Sequence, residues 1–154
     1  MVGGGISGLN DLELLYVAYN PRITNINHMT KLKVLNASGY CGLGDEGIIN
    51  LNNLEILCAD GNIKIKNINH MTKLRVLDAS GSCRISNEGI SNIISLENLN
   101  AGYNPRITNI NHMTKLRVLN ASGKCGLNDE GIINLKQIKR LNRCGNSKIS
   151  QYFK

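Results

Sequence analysis

The chain has 154 residues, of which 42% are hydrophobic, 19% charged and 4% aromatic, enough apolar material for one buried core. No stretch approaches the roughly eighteen apolar residues of a membrane-spanning helix, and residues 1–12 show neither the basic nor the apolar segment of a secretory signal. The formal charge of +7 is concentrated: residues 1–135 hold twelve basic and eleven acidic side chains, whereas 136–154 hold six basic and no acidic ones. A nucleic-acid groove would spread its cations and interleave aromatics, so nucleic acid is not the expected partner.

In chain order, residues 5–11 match the tail of a later unit at 47–53, so the sequence opens part-way through a repeat (a partial repeat, 1–11). The first whole unit, 12–31, is built on Leu12, Leu15, Val17, Asn20, Ile23, Ile26 and Met29. The second, 32–53, is built on Leu32, Leu35, Ala37, Cys41 and Leu43, followed by Asp45-Glu46-Gly47-Ile48. The two kinds then alternate through 54–73, 74–95, 96–115 and 116–137, with unit starts separated by 20 and 22 residues in turn. Residues 20–51 and 104–135 agree at 29 of 32 positions, so the underlying period is a 42-residue pair. The last unit, 138–154, places Arg143 where Val or Ala stands elsewhere and carries Tyr152 and Phe153 beyond it, which reads as a C-terminal capping repeat.

Around each L-x-x-L-x-(A/V) the apolar residues alternate, the period-2 signal of a short strand. In the even units Gly44, Ser86 and Asn128 are placed to cap short helices whose first turns hold Asp45 and Glu46, Glu88, or Asp129 and Glu130. In the odd units a tighter turn is expected near Thr24 and Thr108. These motifs resemble the leucine-rich repeat: the odd units look like its Asn-containing type, and the even units are similar to its cysteine-containing type. In the latter the cysteine stands one place later than usual, with Tyr40, Ser82 and Lys124 at its ordinary position. The resemblance implies an α/β solenoid, a horseshoe or arc forming a single domain over 1–154. Its parallel β-sheet would line the concave face, with short helices or 3-10 turns on the convex face.

Stacking in that register has consequences for every motif that suggests chemistry. Residues 42 apart stand two turns apart, on the order of 10 Å. His28, His70 and His112, each in the phrase NINHMTK, therefore cannot share a metal, whose ligands converge within about 4 Å. Cys41, Cys83 and Cys125 are likewise too far apart for disulfides and are expected as small buried hydrophobes. Cys58 and Cys144 fall at strand positions facing away from the core, where a reactive thiol is conceivable. Without a signal segment or CxxC spacing, reduced thiols in the cytoplasm are the expected state. No nucleophile, base and orienter converge, and the glycines at 3–5 precede no Lys-Ser/Thr pair. No catalytic residue, metal or cofactor is expected.

The residue after the first position of each unit runs Glu13, Lys33, Glu55, Arg75, Glu97, Arg117, Lys139, so opposite charges become lateral neighbours, and a one-unit slip would oppose like charges. The concave face is expected to collect Tyr16, Tyr19, Val34, Asn36, Ile56, Asp60, Val76, Asp78, Asn100, Tyr103, Val118 and Asn120 as the surface for another protein. Exposed aliphatics beside small polar groups and low-entropy tyrosines suit such contact. The other readings are a structural spacer without a specific ligand and, from the resemblance, the substrate-recruiting part of a ubiquitin-ligase adaptor. That last role needs a docking module supplied from elsewhere. Lys136, Lys139, Arg140 and Arg143 form a basic patch at the far end, suited to an anionic ligand. At the near end the first strand is an uncovered sheet edge, a route to self-association.

Overall fold

The computed structural model describes residues 5–150. Seven three-residue strands occur at the expected places: β1 Leu14–Tyr16, β2 Val34–Asn36, β3 Ile56–Cys58, β4 Val76–Asp78, β5 Asn98–Asn100, β6 Val118–Asn120 and β7 Arg140–Asn142. They form one parallel sheet in sequence order, with Leu15, Leu35, Leu57, Leu77, Leu99, Leu119 and Leu141 aligned across it. Hydrogen bonding continues past each strand, as from Val17 N–H to the Asn36 carbonyl and from Ala37 N–H to the Cys58 carbonyl. Parallel order follows from the chain path: each strand is reached only after the return leg of the preceding turn.

Behind the sheet the Leu, Ile and Met positions of every unit fuse into one continuous interior. Leu35, Leu57, Ile26, Ile68, Ile110, Met29, Met71 and Met113 are buried, as are Ala37, Ala59, Ala79, Ala101 and Ala121 just beyond the strands. Each large side chain so enclosed stabilises by about 1.5–3 kcal/mol relative to exposure. A lone unit would leave one side of that set in water. Leu12 and Leu15 show this at the β1 edge, and Ile138 and Leu141 at the β7 edge, where burial is only partial.

Each even unit carries one short helical turn: α1 at Asp45–Ile48, and 3-10 turns at Glu88–Ile90 and Glu130–Ile132. Gly44 caps α1 as expected, but the caps of the other two are Asn87 and Asp129, one residue later than Ser86 and Asn128. No cap side chain bonds its own helix. Instead Asp45 Oδ1 accepts the N–H groups of Lys66 and Asn67, and Asn87 Oδ1 those of Thr108 and Asn109. These oxygens bridge to the backbone of the next turn. Asn128 still contributes, accepting from Gly131 N–H at 2.9 Å. The odd units turn at 27–28 and 111–112, three residues beyond Thr24 and Thr108, which themselves lie in backbone of no regular structure. There the Thr24, Lys66 and Thr108 carbonyls lie against Gly47, Gly89 and Gly131 so closely that a Cβ would fall 2.1, 1.8 and 2.0 Å away.

Candidate binding surface

The strands present two outward columns in the expected register, and a third stands two residues past the strand ends. In the first, Val34, Ile56, Val76 and Val118 are half-buried, while Leu14, Asn98 and Arg140 are exposed. The second runs Tyr16, Asn36, Cys58, Asp78, Asn100, Asn120 and Asn142. The third runs Ala18, Ser38, Asp60, Ser80, Gly102, Ser122 and Cys144. A shallow depression of about 290 Å³ lies over β3–β6, lined by Cys58, Val76, Asp78, Asn98, Asn100, Val118 and Asn120 among others. Of the expected contact residues, Ile56 and Val34 lie beside this depression and Asp60 is exposed, whereas Tyr16 stands at the β1 edge.

Much of the polar chemistry on this face is already engaged. Asn36, Asp78, Asn100, Asn120 and Asn142 each accept, through Oδ1, the N–H two residues on. That local turn steers the chain out of the sheet. Asn100 Nδ2 donates to Asp78 Oδ2 at 3.1 Å, and Ser80 Oγ, with its single proton, lies between Asp78 Oδ1 at 2.5 Å and Asp60 Oδ1 at 3.1 Å. The Asp60 and Asp78 carboxylates are thus held at the centre of the face. Beside them burial, and then the fields of Asp78 and Asp60, push the Cys58 thiol upward, which opposes the activated-thiol reading of that position.

Just past each strand every unit passes through a left-handed backbone residue. Gly39, Gly61, Gly81, Gly123 and Gly145 fill this position in five turns, with φ between 64° and 74°. In the other two it is Tyr19 and Tyr103, at φ 57° and 59°. The conformation strains a side-chain-bearing residue by about 1–2 kcal/mol. Each ring lies over the glycine of the following turn, so that a Cβ on Gly39 or Gly123 would come within 2.3 Å of it. Yet 68% of Tyr19 and 64% of Tyr103 remain exposed.

The histidines act between turns. Nε2 of His28, His70 and His112 faces the carbonyls of Ile6, Ile48 and Ile90 at 3.2, 3.1 and 2.9 Å. The preceding Asn27, Asn69 and Asn111 reach the other way, donating to the Glu46, Glu88 and Glu130 carbonyls and accepting from Asn50, Asn92 and Asn134 N–H. The phrase NINHMTK is therefore a staple to both neighbours. Its threefold verbatim recurrence was the available signal.

Buried asparagines do the same inside. Asn104 Nδ2 donates to the Ala79 and Ile85 carbonyls, and Asn146 Nδ2 to those of Ala121 and Leu127. Among the described residues no three of His, Cys, Asp and Glu gather about one point, and no helix is long and apolar enough to cross a membrane.

Burial raises the thiols of Cys41, Cys83 and Cys125, that of Cys83 to about 11. All five cysteines are free. A thiol reagent is expected to modify Cys144 and then Cys58 in the native protein, and the other three only as it unfolds. A thiol whose folded value exceeds its unfolded value of about 9 favours folding fully below pH 9 and ceases to do so as pH rises past the folded value. Stability should accordingly fall between pH 9 and 11, by up to about 1.4 kcal/mol per pH unit from Cys83, and Cys83→Ala should flatten that decline in a denaturant series.

At the ends, Lys136, Lys139 and Arg140 are exposed, but Arg143 is half-buried and donates Nη1–H to the Ile149 carbonyl. Arg143 thus closes the last turn where other units place a small core residue. Tyr152 and Phe153 lie outside the described residues. The charge column forms contacts at Glu13–Lys33 and, two-pronged, at Arg75–Glu97. Glu97 is held below the usual carboxylate range by its hydrogen bond to Arg75.

No family model matches the sequence, and no curated protein matches it. Among solved structures the chain is similar to an internalin, InlF, of Listeria monocytogenes, with 22% identity, a TM-score of 0.60, and coverage of 83% of this chain and 46% of that one. It is also similar to the functional domain of InlJ from the same organism, described as including a cysteine ladder, with 19% identity and a TM-score of 0.66, covering 92% of this chain and 32% of that one. This chain spans about half the length of the first and a third of the second.

Proposed function

We propose that this leucine-rich-repeat solenoid of alternating unit types is a non-enzymatic recognition module that binds another protein on its concave sheet. The observation that carries the reading is the pair of left-handed tyrosines. Seven turns share one backbone conformation there, five meet it with glycine, and Tyr19 and Tyr103 occupy it against intrinsic preference while staying mostly exposed. Strained, solvent-facing residues on an otherwise regular scaffold mark positions kept for contact. Two rigid aromatics just past the strand ends add contact area to the half-buried aliphatics of the sheet at small entropic cost. Five unpaired thiols fit a reducing, cytoplasmic setting.

A spacer makes the opposite demand, since it gains from glycine at both positions. The Tyr19→Gly/Tyr103→Gly variant is expected to keep its unfolding free energy within about 1 kcal/mol, because relief of strain offsets lost ring packing. It should no longer retain the protein that the unaltered chain holds from its native lysate. Equal retention by both would contradict the concave reading.

A further inference from the structure

Summed along the chain, residues 1–135 are nearly neutral, but the fold sorts their charges by position in the repeat. At the rim where strands begin, acids and bases mix: the ion pairs Asp11–Lys31, Glu13–Lys33 and Arg75–Glu97 all lie there. At the rim where strands end stand Arg22, Lys64, Arg84, Arg106, Lys124 and Lys148, all exposed, one to a turn except the second. The second turn presents Tyr40 instead. None of the six has an acidic partner within 4 Å among the described residues.

These cations form a row because successive turns are hydrogen-bonded along this rim. Gly42 N–H donates to the Asn20 carbonyl, Arg84 N–H to that of Asn62, and Gly126 N–H to that of Asn104. With turns about 4.8 Å apart the row runs for roughly 30 Å. Its backbone is pinned by the asparagine of each odd unit, whose Oδ1 accepts the N–H of Arg22, Lys64, Arg106 or Lys148. Lys64 and Lys148 further direct their ammonium groups to the Gly42 and Cys125 carbonyls of the preceding turn. A row held by buried scaffold lowers the ordering cost of binding.

We propose that this strand-exit rim is a track for an acidic segment of the partner protein. The proposal rests on the concave reading and specifies what lies along one edge of the bound partner. Charge complementarity calls for an anionic ligand, and the inner edge of the row selects its kind. Asp60 and Asp78 stand there, anchored by Ser80 and Asn100. A phosphodiester strand, charged at every step, would meet both carboxylates. A polypeptide sets Asp and Glu opposite the cations and neutral or basic side chains opposite Asp60 and Asp78. Tyr19, Tyr40 and Tyr103, exposed on the same rim, supply contact for apolar residues between the acids.

The test is fluorescence anisotropy on the full chain with three probes: a labelled peptide of alternating Glu and Leu, the same peptide with Gln for Glu, and an oligothymidylate. The Glu peptide is expected to bind, to weaken steeply with added salt, and to lose at least about tenfold in affinity on Lys64→Glu/Arg84→Glu/Arg106→Glu. The opposite-rim control Lys73→Glu/Lys115→Glu should bind as the unaltered chain does. Lys64→Ala/Arg84→Ala/Arg106→Ala, which adds no repulsion, should lie between. No binding of the Glu peptide, equal binding of the Gln peptide, tighter binding of the oligothymidylate, or equal losses in the two charge-reversed variants would each overturn the proposal. A cellular partner lost by the tyrosine variant but kept by the rim variant would overturn the rim proposal alone. A partner kept by both would remove the concave reading as well.

Discussion

Replacing Asn62 with alanine is expected to lower the unfolding free energy by about 3–4 kcal/mol in a urea titration. Asn62 is fully buried between the second and third units. Its Nδ2 donates to the Ala37 carbonyl at 2.7 Å and to the Leu43 carbonyl at 3.3 Å, and its Oδ1 accepts from Lys64 and Ile65 N–H. Removal strands the Ala37 and Leu43 carbonyls and the Ile65 N–H in the buried interior, each at about 1–3 kcal/mol before relaxation. The same substitution at Asn20 should cost only about 1 kcal/mol, because among the described residues that half-buried side chain bonds Arg22 N–H alone. The asymmetry is informative, since a propensity effect would be equal at the two sites. In a stack stabilised by nearest-neighbour contacts, Asn62→Ala should also broaden the transition as the two flanking blocks uncouple.

Gly89→Ala is expected to be comparably damaging, at about 3 kcal/mol. The added methyl would fall 1.8 Å from the Lys66 carbonyl oxygen, and the obstacle is backbone, which cannot rotate aside. The Ile68 N–H bond to the Gly89 carbonyl, 2.9 Å, holds the two segments together at that point. Relief requires opening the contact between the 3-10 turn and the preceding odd unit, an overpacking cost. Gly8→Ala is the control: nothing among the described residues lies within 4 Å of its added carbon, and its thermal midpoint should barely move.

Strand placement and register were readable from the sequence because burial imposes a strict period. Leu35, Leu57 and Leu77 can share an interior only if every unit starts at the same phase, and they do. Helix caps were less readable. Asp45 and Asn87 have side chains suited to capping, yet a neighbouring turn offers N–H groups in greater need, and that partner is invisible to local pattern. The staples of Asn27 and His28, bonds between segments some twenty residues apart, showed in the sequence only as the recurrence of NINHMTK.

The concave columns followed directly from the alternation, whereas the cationic rim did not. Adding Arg22, Lys64 and Arg106 to Glu13, Glu55 and Glu97 gives no net charge, and only sorting by repeat position separates the groups onto opposite rims. The left-handed tyrosines left a trace that was there to read: five units place glycine at the seventh residue after their start, and two place tyrosine.

The central claim is that the outer face of the sheet meets a partner protein. A photo-cross-linking amino acid at position 98, exposed on β5 within the depression, tests it beside the same group at positions 49 and 133. Those two positions hold exposed isoleucines beyond the helical turns of the convex face. Irradiation in the native lysate should yield a discrete protein adduct from position 98 and none from 49 or 133. Adducts from the convex positions, with position 98 unreactive, would contradict the account.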